Sequence, residues 1–123
     1  MCFYVSLKGY FVPKPRARSF SAYASEALHL LAASVRVARK QRGLTLAELA
    51  ERAGISRSLA QRIENGDPGC AIGPVFEVAT IVGVPLFEDS AARLSARLDQ
   101  TRQLGALLPK SVRAPPGAVD DEF

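Results

Sequence analysis

The strongest constraint on the fold is residues 44–66, which read LTLAELAERAGISRSLAQRIENG. The pattern predicts two short helices joined by a tight turn. Thr45 can cap the first helix with its hydroxyl, and Glu48, at the third helical position, can complete a capping box. Gly54 has no Cβ and can adopt the left-handed conformation that ends a helix. Ser56 is a good N-cap for the second helix, so both helix starts and the turn between them are specified locally.

The second of these helices has two chemically different sides. Ala60 and Ile63 are spaced to face inward, and the polar residues are spaced to face outward. Two helices of this kind crossing at a sharp angle form a helix-turn-helix, whose second helix can enter the major groove of DNA. The alternative for its arginines is an ordinary solvated helix face. The outward residues are Arg57, Ser58, Gln61 and Arg62.

The same residues carry a family resemblance. Residues 43–66, with AELAERAGIS and IENG, resemble the Xre/Cro/C1 family of bacterial DNA-binding domains. The run SRSLAQRIENGDPGCAIGPVFEVATIVGVPLF resembles more specifically the HipB-type branch, the antitoxin regulators that accompany HipA-like kinases. The resemblance extends over about residues 28–113. It implies an all-α fold: a five-helix lambda-repressor-like DNA-binding domain with an additional C-terminal helix and flexible ends.

The resemblance also implies roles for particular residues. Arg39 on the first helix is expected to form an ion pair with Glu64 of the IENG segment, which braces that helix against the recognition helix. The start of the preceding helix is expected to lie against the DNA backbone, and this chain has Leu46 where the family commonly has glutamine. Lys40 suits the negative end of the first helix and is also a candidate phosphate contact. The predicted DNA-binding residues are Lys40, Thr45, Leu46, Ser56, Arg57, Ser58, Gln61 and Arg62.

Composition agrees with a small helical regulator. The chain has 123 residues, is 48% hydrophobic and carries a formal charge of +4, which suits a polyanionic partner. Cys2 and Cys70 lie far apart without a CxxC pair, so no metal site or disulfide framework is expected. His29, the single histidine, is expected to be a surface or half-buried residue. No nucleophile and base pair or P-loop is present, so we expect no enzyme activity and no cofactor.

The chain divides into four predicted parts. Residues 1–24 form an N-terminal arm, for which a flexible arm, a short strand or hairpin, a basic arm bearing Lys14, Arg16 and Arg18, and an extension upstream of the physiological start all stay open. Residues 25–89 form the DNA-binding domain, and residues 90–108 form a C-terminal helix that packs either on its own domain or on a partner. Residues 109–123 form a flexible acidic tail, like the LPKxVR element and acidic end of HipB-like regulators.

Four finer expectations concern the helix ends. The first helix is expected over residues 25–41. Ile72 is expected in the core, and Gly73-Pro74 is expected to start the fourth helix with proline at its first position. The segment 84–87 is expected to enter another helical element.

The predicted function is sequence-specific DNA binding by a transcriptional regulator. A homodimer spanning half-sites about 34 Å apart is the expected form, because one domain presents little contact surface. The finer prediction is an autorepressing antitoxin of a HipA-like kinase, and the alternative is a stand-alone Xre-family repressor without a toxin partner. No segment approaches the length of a membrane span, so a cytoplasmic, nucleoid-associated protein is expected.

Overall fold

The computed structural model describes residues 3–5, 11–13 and 19–113. Its main part is helical, which confirms the predicted all-α class. The helices, in chain order, are α1 Ala22–Gln41, α2 Leu46–Ala53, α3 Arg57–Glu64, α4 Ile72–Val82 and α5 Ala91–Ala106.

Two short strands precede the helices. Strands β1 (Phe3–Val5) and β2 (Phe11–Pro13) pair antiparallel, with Tyr4 opposite Val12. This is the strand pairing that was one of the alternatives for the N-terminal arm. The basic residues of the arm and the acidic end of the tail lie outside the described residues.

The core lies where α1, α2, α3 and α4 meet. Its buried members come from every one of these helices: Val35, Leu49, Ile63, Val78, Ala79 and Val82. They are aliphatic and mostly small, so the helices can approach closely and exclude water from a compact interior. Helix α2 packs against α3 and α4, and α1 packs against the same two helices. The helix-turn-helix is therefore held from behind by α1 and α4.

Helix α1 begins earlier than expected. Its N-cap is Ser21, whose hydroxyl accepts a hydrogen bond from the backbone N–H of Ala24, whereas the sequence pattern pointed to a start at Ser25. Both serines are suitable caps, and the first apolar residue of the inward stripe, Leu28, lies after either of them. The apolar spacing therefore did not discriminate between the two starts.

Helix α4 corrects two expectations. It begins at Ile72, so Pro74 occupies the third helical position and not the first. Proline is tolerated there because the first turn contains N–H groups that have no partner within the helix. Ile72 itself is 67% exposed and is not a core residue. The inward face of α4 begins further along the helix, at Val75 and Val78.

The segment after α4 is not helical, contrary to expectation. Gly83 ends α4 with a φ of 86°, and Glu88 donates its backbone N–H to the carbonyl of Leu86 at 2.8 Å. Phe87, the residue between these two, has a φ of 70° and is 74% exposed. A hydrogen bond across one residue defines a tight turn, which is incompatible with a helix. The described part of the chain therefore has four helices in its body and α5 beyond them.

Helix α5 follows this turn and matches its predicted extent closely. Ser90 caps it by accepting a hydrogen bond from the N–H of Arg93, and the Arg93 side chain forms an ion pair with Asp89 at 3.2 Å. None of its residues is buried. The helix is therefore attached to the body mainly through the turn that precedes it.

Candidate DNA interface

The turn between α2 and α3 has the local structure that its sequence specifies. Thr45 and Glu48 form a complete capping box at the start of α2. Gly54 ends α2 with a φ of 68°, a conformation that glycine adopts without steric cost. Ile55 then packs against the core, and its N–H bonds to the carbonyl of Ala50 at 3.0 Å. The chain thus reverses within a few residues and starts α3 in a fixed direction.

Helix α3 is anchored along its inner side. Ser56 caps it by accepting a hydrogen bond from the N–H of Leu59 at 3.0 Å. Ala60 and Ile63 are 0% and 3% exposed, and Glu64 is 5% exposed. Because these residues are buried, the rotation of α3 about its own axis is fixed. Its opposite side must therefore face solvent.

That outer side carries the residues predicted to contact DNA. Arg57, Ser58 and Gln61 are all exposed. The ion pairs found among the described residues do not include Arg57. Gln61 donates to the side-chain oxygen of Asn65 at 3.2 Å, one turn further along. Arg57 and Ser58 thus stand at the first turn of α3, where a recognition helix meets base edges.

Arg62 has a different position from its neighbours on α3. Its Nε donates to the carboxylate of Asp67 at 2.8 Å, and Asp67 also accepts the N–H of Gly69 at 2.8 Å. The ion pair raises the pKa of Arg62 and, with the Gly69 bond, lowers the pKa of Asp67. Arg62 therefore holds the loop that follows α3, and only part of its guanidinium is free. The sequence signal for this role is an aspartate directly after the Asn65-Gly66 helix end.

The two residues that the resemblance pairs are joined in a bidentate ion pair. Arg39 Nε lies 2.6 Å from one Glu64 oxygen, and its terminal nitrogen lies 3.0 Å from the other. The hydrogen bond with Glu64 is the main cause of the raised pKa of Arg39, and burial opposes it. Arg39 also donates to the backbone carbonyl of Leu44 at 2.8 Å, a contact that sequence reasoning missed. One guanidinium thus connects α1, the entry to α2 and the end of α3.

Two hydroxyls at the helix starts have spare hydrogen-bonding capacity. The oxygens of Thr45 and Ser56 accept the capping hydrogen bonds. A hydroxyl that accepts one bond still has its own proton to donate. Each cap can therefore stabilise its helix and donate to a phosphate oxygen at the same time. The charge of Glu48, whose pKa is lowered mainly by the backbone N–H of Thr45, lies beside the first of these sites.

Leu46 and Lys40 complete the predicted set. Leu46 is the first residue of α2 and is half-buried. Its aliphatic side chain has no polar atom to offer DNA. Only its backbone N–H, which the helix leaves unpaired, could bind a phosphate at this position. Lys40 is exposed in the last turn of α1.

Within residues 3–5, 11–13 and 19–113, no group of three or more histidine, cysteine or acidic residues could hold a metal ion. No helix among these residues is long and apolar enough to cross a membrane.

Comparison with known proteins agrees with the geometry. Residues 30–86 match the family model described as a helix-turn-helix domain. The match extends from within α1 to the turn after α4 and so contains all of α2 and α3. The match supports a DNA-binding regulator with a helix-turn-helix domain. No curated protein matches the chain.

Proposed function

We propose that this protein is a transcriptional regulator that binds a specific double-stranded DNA operator as a homodimer. The observation that carries the proposal is the contrast between the two sides of α3. Ala60, Ile63 and Glu64 fix the inner side, whereas Arg57 and Ser58 stand exposed on the other. Helix α3 is then the recognition helix, and the proposed operator lies in the cytoplasm at the nucleoid.

The contacts divide by chemistry. The Arg57 guanidinium can donate two parallel hydrogen bonds to a guanine edge, and Ser58 and Gln61 can donate to or accept from several bases. Thr45, Ser56, Lys40 and the Leu46 N–H can bind phosphates, which position the protein without reading sequence. Arg62 is assigned to the backbone and not to a base, because Asp67 holds its Nε.

A binding-site selection from random duplexes, followed by fluorescence anisotropy on the selected site, tests this function. Arg57→Ala should reduce affinity for the selected site by about 5- to 150-fold and bring it close to the affinity for random DNA, because a bidentate base contact is worth about 1–3 kcal/mol. Arg93→Ala is the matched control, since it removes one positive charge from α5, distant in sequence from α3. Equal losses in both variants, or no enriched site, would contradict the proposal.

The antitoxin role is the second candidate. It is supported by the resemblance of residues 56–87 to HipB-like regulators and by the exposed apolar side chains after α5. Leu107 and Val112 are 83% and 99% exposed, although large aliphatic side chains usually find cover in a complex or a core. A HipA-like kinase that is toxic alone, and is neutralised by and copurifies with this chain, would establish the role. The stand-alone repressor follows if the chain regulates its operator and no such kinase binds it.

A further inference from the structure

Helix α5 presents apolar side chains that its own domain covers only in part. Leu94 and Leu98 are 41% and 46% exposed, and Leu104 and Leu108 are each 61% exposed. A solvent-exposed helix in a monomer would be expected to carry polar residues on all sides. Of the two sequence-based interpretations of this helix, the structure therefore favours packing against a partner.

Leu94, Leu98 and Leu108 lie on a single line along the helix, and Leu104 lies beside that line. Six positions on this line are separated by alternating intervals of three and four residues, which is the spacing of a two-helix coiled-coil contact. Leu108 extends the line past the end of α5, because its N–H bonds to the carbonyl of Gly105 at 3.2 Å. This line, the α5 seam, consists of Ala91, Leu94, Leu98, Thr101, Gly105 and Leu108.

Gly105 is the least expected residue of the seam. A Cβ added there would meet nothing within 4 Å, so the chain's own fold gives no steric reason for glycine. Glycine inside a helix costs about 1 kcal/mol relative to alanine. A close approach by another molecule would account for it, because only glycine leaves room for a large side chain against the helix backbone.

The order of sizes along the seam indicates which molecule approaches. If a second α5 lies antiparallel across the first, Leu94 of each copy faces Gly105 of the other. Leu98 then faces Thr101, and Ala91 faces Leu108. Every layer combines one large and one small side chain, as close packing between helices requires. In a parallel pair, Gly105 would face Gly105 and leave a gap, while leucine would face leucine elsewhere.

The charges beside the seam favour the same orientation. Arg97 and Arg102 flank the seam on opposite sides, and Arg97 is held by Glu88 at 2.8 Å. In a parallel pair, Arg97 of one copy would lie beside Arg102 of the other, and like charges would repel. In the antiparallel pair, Arg97 lies beside Leu104, and Arg102 lies beside Ser95. No like charges are then opposed.

We infer that α5 forms the homodimer contact by packing antiparallel along its seam against α5 of a second copy. This rests on the proposed function only in that operator binding calls for a symmetric dimer; size and charge along α5 define the contact itself. The antiparallel arrangement has a two-fold axis between Leu98 and Thr101. Each recognition helix is then carried outward from a central helix pair.

Sedimentation of the full chain tests the surface. Leu98→Asp should convert the dimer into a monomer, because it would bury an unpaired carboxylate in the seam. Ala96→Asp is the matched control: it adds the same charge in the middle of α5 on the side away from the seam, and the dimer should persist. Thermal unfolding by circular dichroism should show an intact body in both variants, since α5 contributes no buried residue. A wild-type chain that is monomeric at tens of micromolar, or a dimer that survives Leu98→Asp, overturns the inference.

Two further variants test the orientation. Gly105→Leu should weaken the antiparallel dimer by about tenfold or more, because it fills the space that Leu94 of the partner occupies. A parallel dimer would instead be strengthened, because the same substitution fills its gap. In a chain with both native cysteines changed to serine, Ala91→Cys should cross-link to Leu108→Cys when the two are mixed and subunits exchange. Cross-linking of Ala91→Cys to itself overturns the antiparallel arrangement.

The experiments distinguish a failure of the α5 dimer contact from a failure of the proposed operator binding. Arg57→Ala should leave the dimer unchanged while the preference for the selected DNA site is lost. A chain that forms the antiparallel dimer and selects no DNA site would refute the operator proposal and leave the α5 contact standing. A chain that selects a DNA site but dimerises through another surface would refute the α5 contact and leave the operator proposal standing.

Discussion

Arg39 and Glu64 bind each other through both carboxylate oxygens across the junction of α1 and α3, with side chains only 12% and 2% exposed. Neither residue reaches the outer face of α3. Their pairing satisfies a charge that burial would otherwise make costly, and it fixes the distance between the two helices. The ion pair is thus part of the frame that supports the recognition helix.

Removal of one member of this pair should destabilise the fold strongly. Arg39→Met leaves the buried Glu64 carboxylate without a partner and should lower the free energy of unfolding by about 3 kcal/mol or more. Urea unfolding measures the change. The double variant Arg39→Met with Glu64→Leu should recover part of the loss, since no charge is then buried alone. A single variant as stable as the wild type would show that the pair is not needed.

The turn after α3 allows a second test, because the backbone of Gly66 lies close to the His29 ring. Gly66 is buried with a φ of 75°, and a Cβ there would lie 2.7 Å from Cδ2 of His29. Gly66→Ala should destabilise the protein by about 1–3 kcal/mol through the left-handed backbone alone, and the contact adds to this. Gly66→Ala in a His29→Ala background should cost less than in the wild type. Equal costs in a double-mutant cycle would show that the imidazole simply moves aside.

Lys40 should influence how DNA binding depends on salt and not which site is chosen. If Lys40 contacts one phosphate, Lys40→Ala should reduce the slope of log affinity against log salt by about 0.9. The preference for the selected site over random DNA should stay the same. Anisotropy titrations at several salt concentrations measure both quantities. An unchanged slope would show that Lys40 contacts no phosphate and only interacts with the negative end of α1.

Acid should weaken the loop after α3. Arg62 and the Gly69 N–H hold the pKa of Asp67 below its usual value. A carboxylate with a lowered folded-state pKa stabilises the fold at pH values above its unfolded pKa, and it loses that contribution as the pH falls through the folded value. The loss should therefore occur below about pH 4. Asp67→Asn should destabilise the protein slightly at pH 6 and not at pH 2. The effect is small because the two side chains are 48% and 36% exposed, so solvent screens the ion pair.

The sequence predicted both helix starts and the turn between them to the residue, because these signals are local. Thr45, Gly54 and Ser56 act on their immediate neighbours through caps and a left-handed turn, and all three do so in the structure. Ser21 and Ser25 were equally suitable caps for α1, so local chemistry could not decide between them.

Longer-range features were harder to predict. Phe87 adopts a positive φ that is rare for an aromatic residue, so a helical element was expected where a tight turn occurs. Ile72 was expected in the core because it is apolar, but its position at the start of α4 places it outside. The Arg62–Asp67 ion pair depends on how the loop returns after α3. The exposure of α5 depends on how the chain leaves the four-helix body after α4, which no local sequence signal determines.

The separation of α3 into a buried side and an exposed side that is proposed to face DNA has a practical consequence. Ala60, Ile63 and Glu64, together with the half-buried Leu59, hold this helix against the body, so substitutions at the exposed residues leave the interior untouched. These exposed residues are Arg57, Ser58 and Gln61. Evolution or a protein engineer can therefore rewrite the DNA preference of such a domain without refolding it. Variants randomised at those three positions should share one melting behaviour while differing in the duplexes they retain.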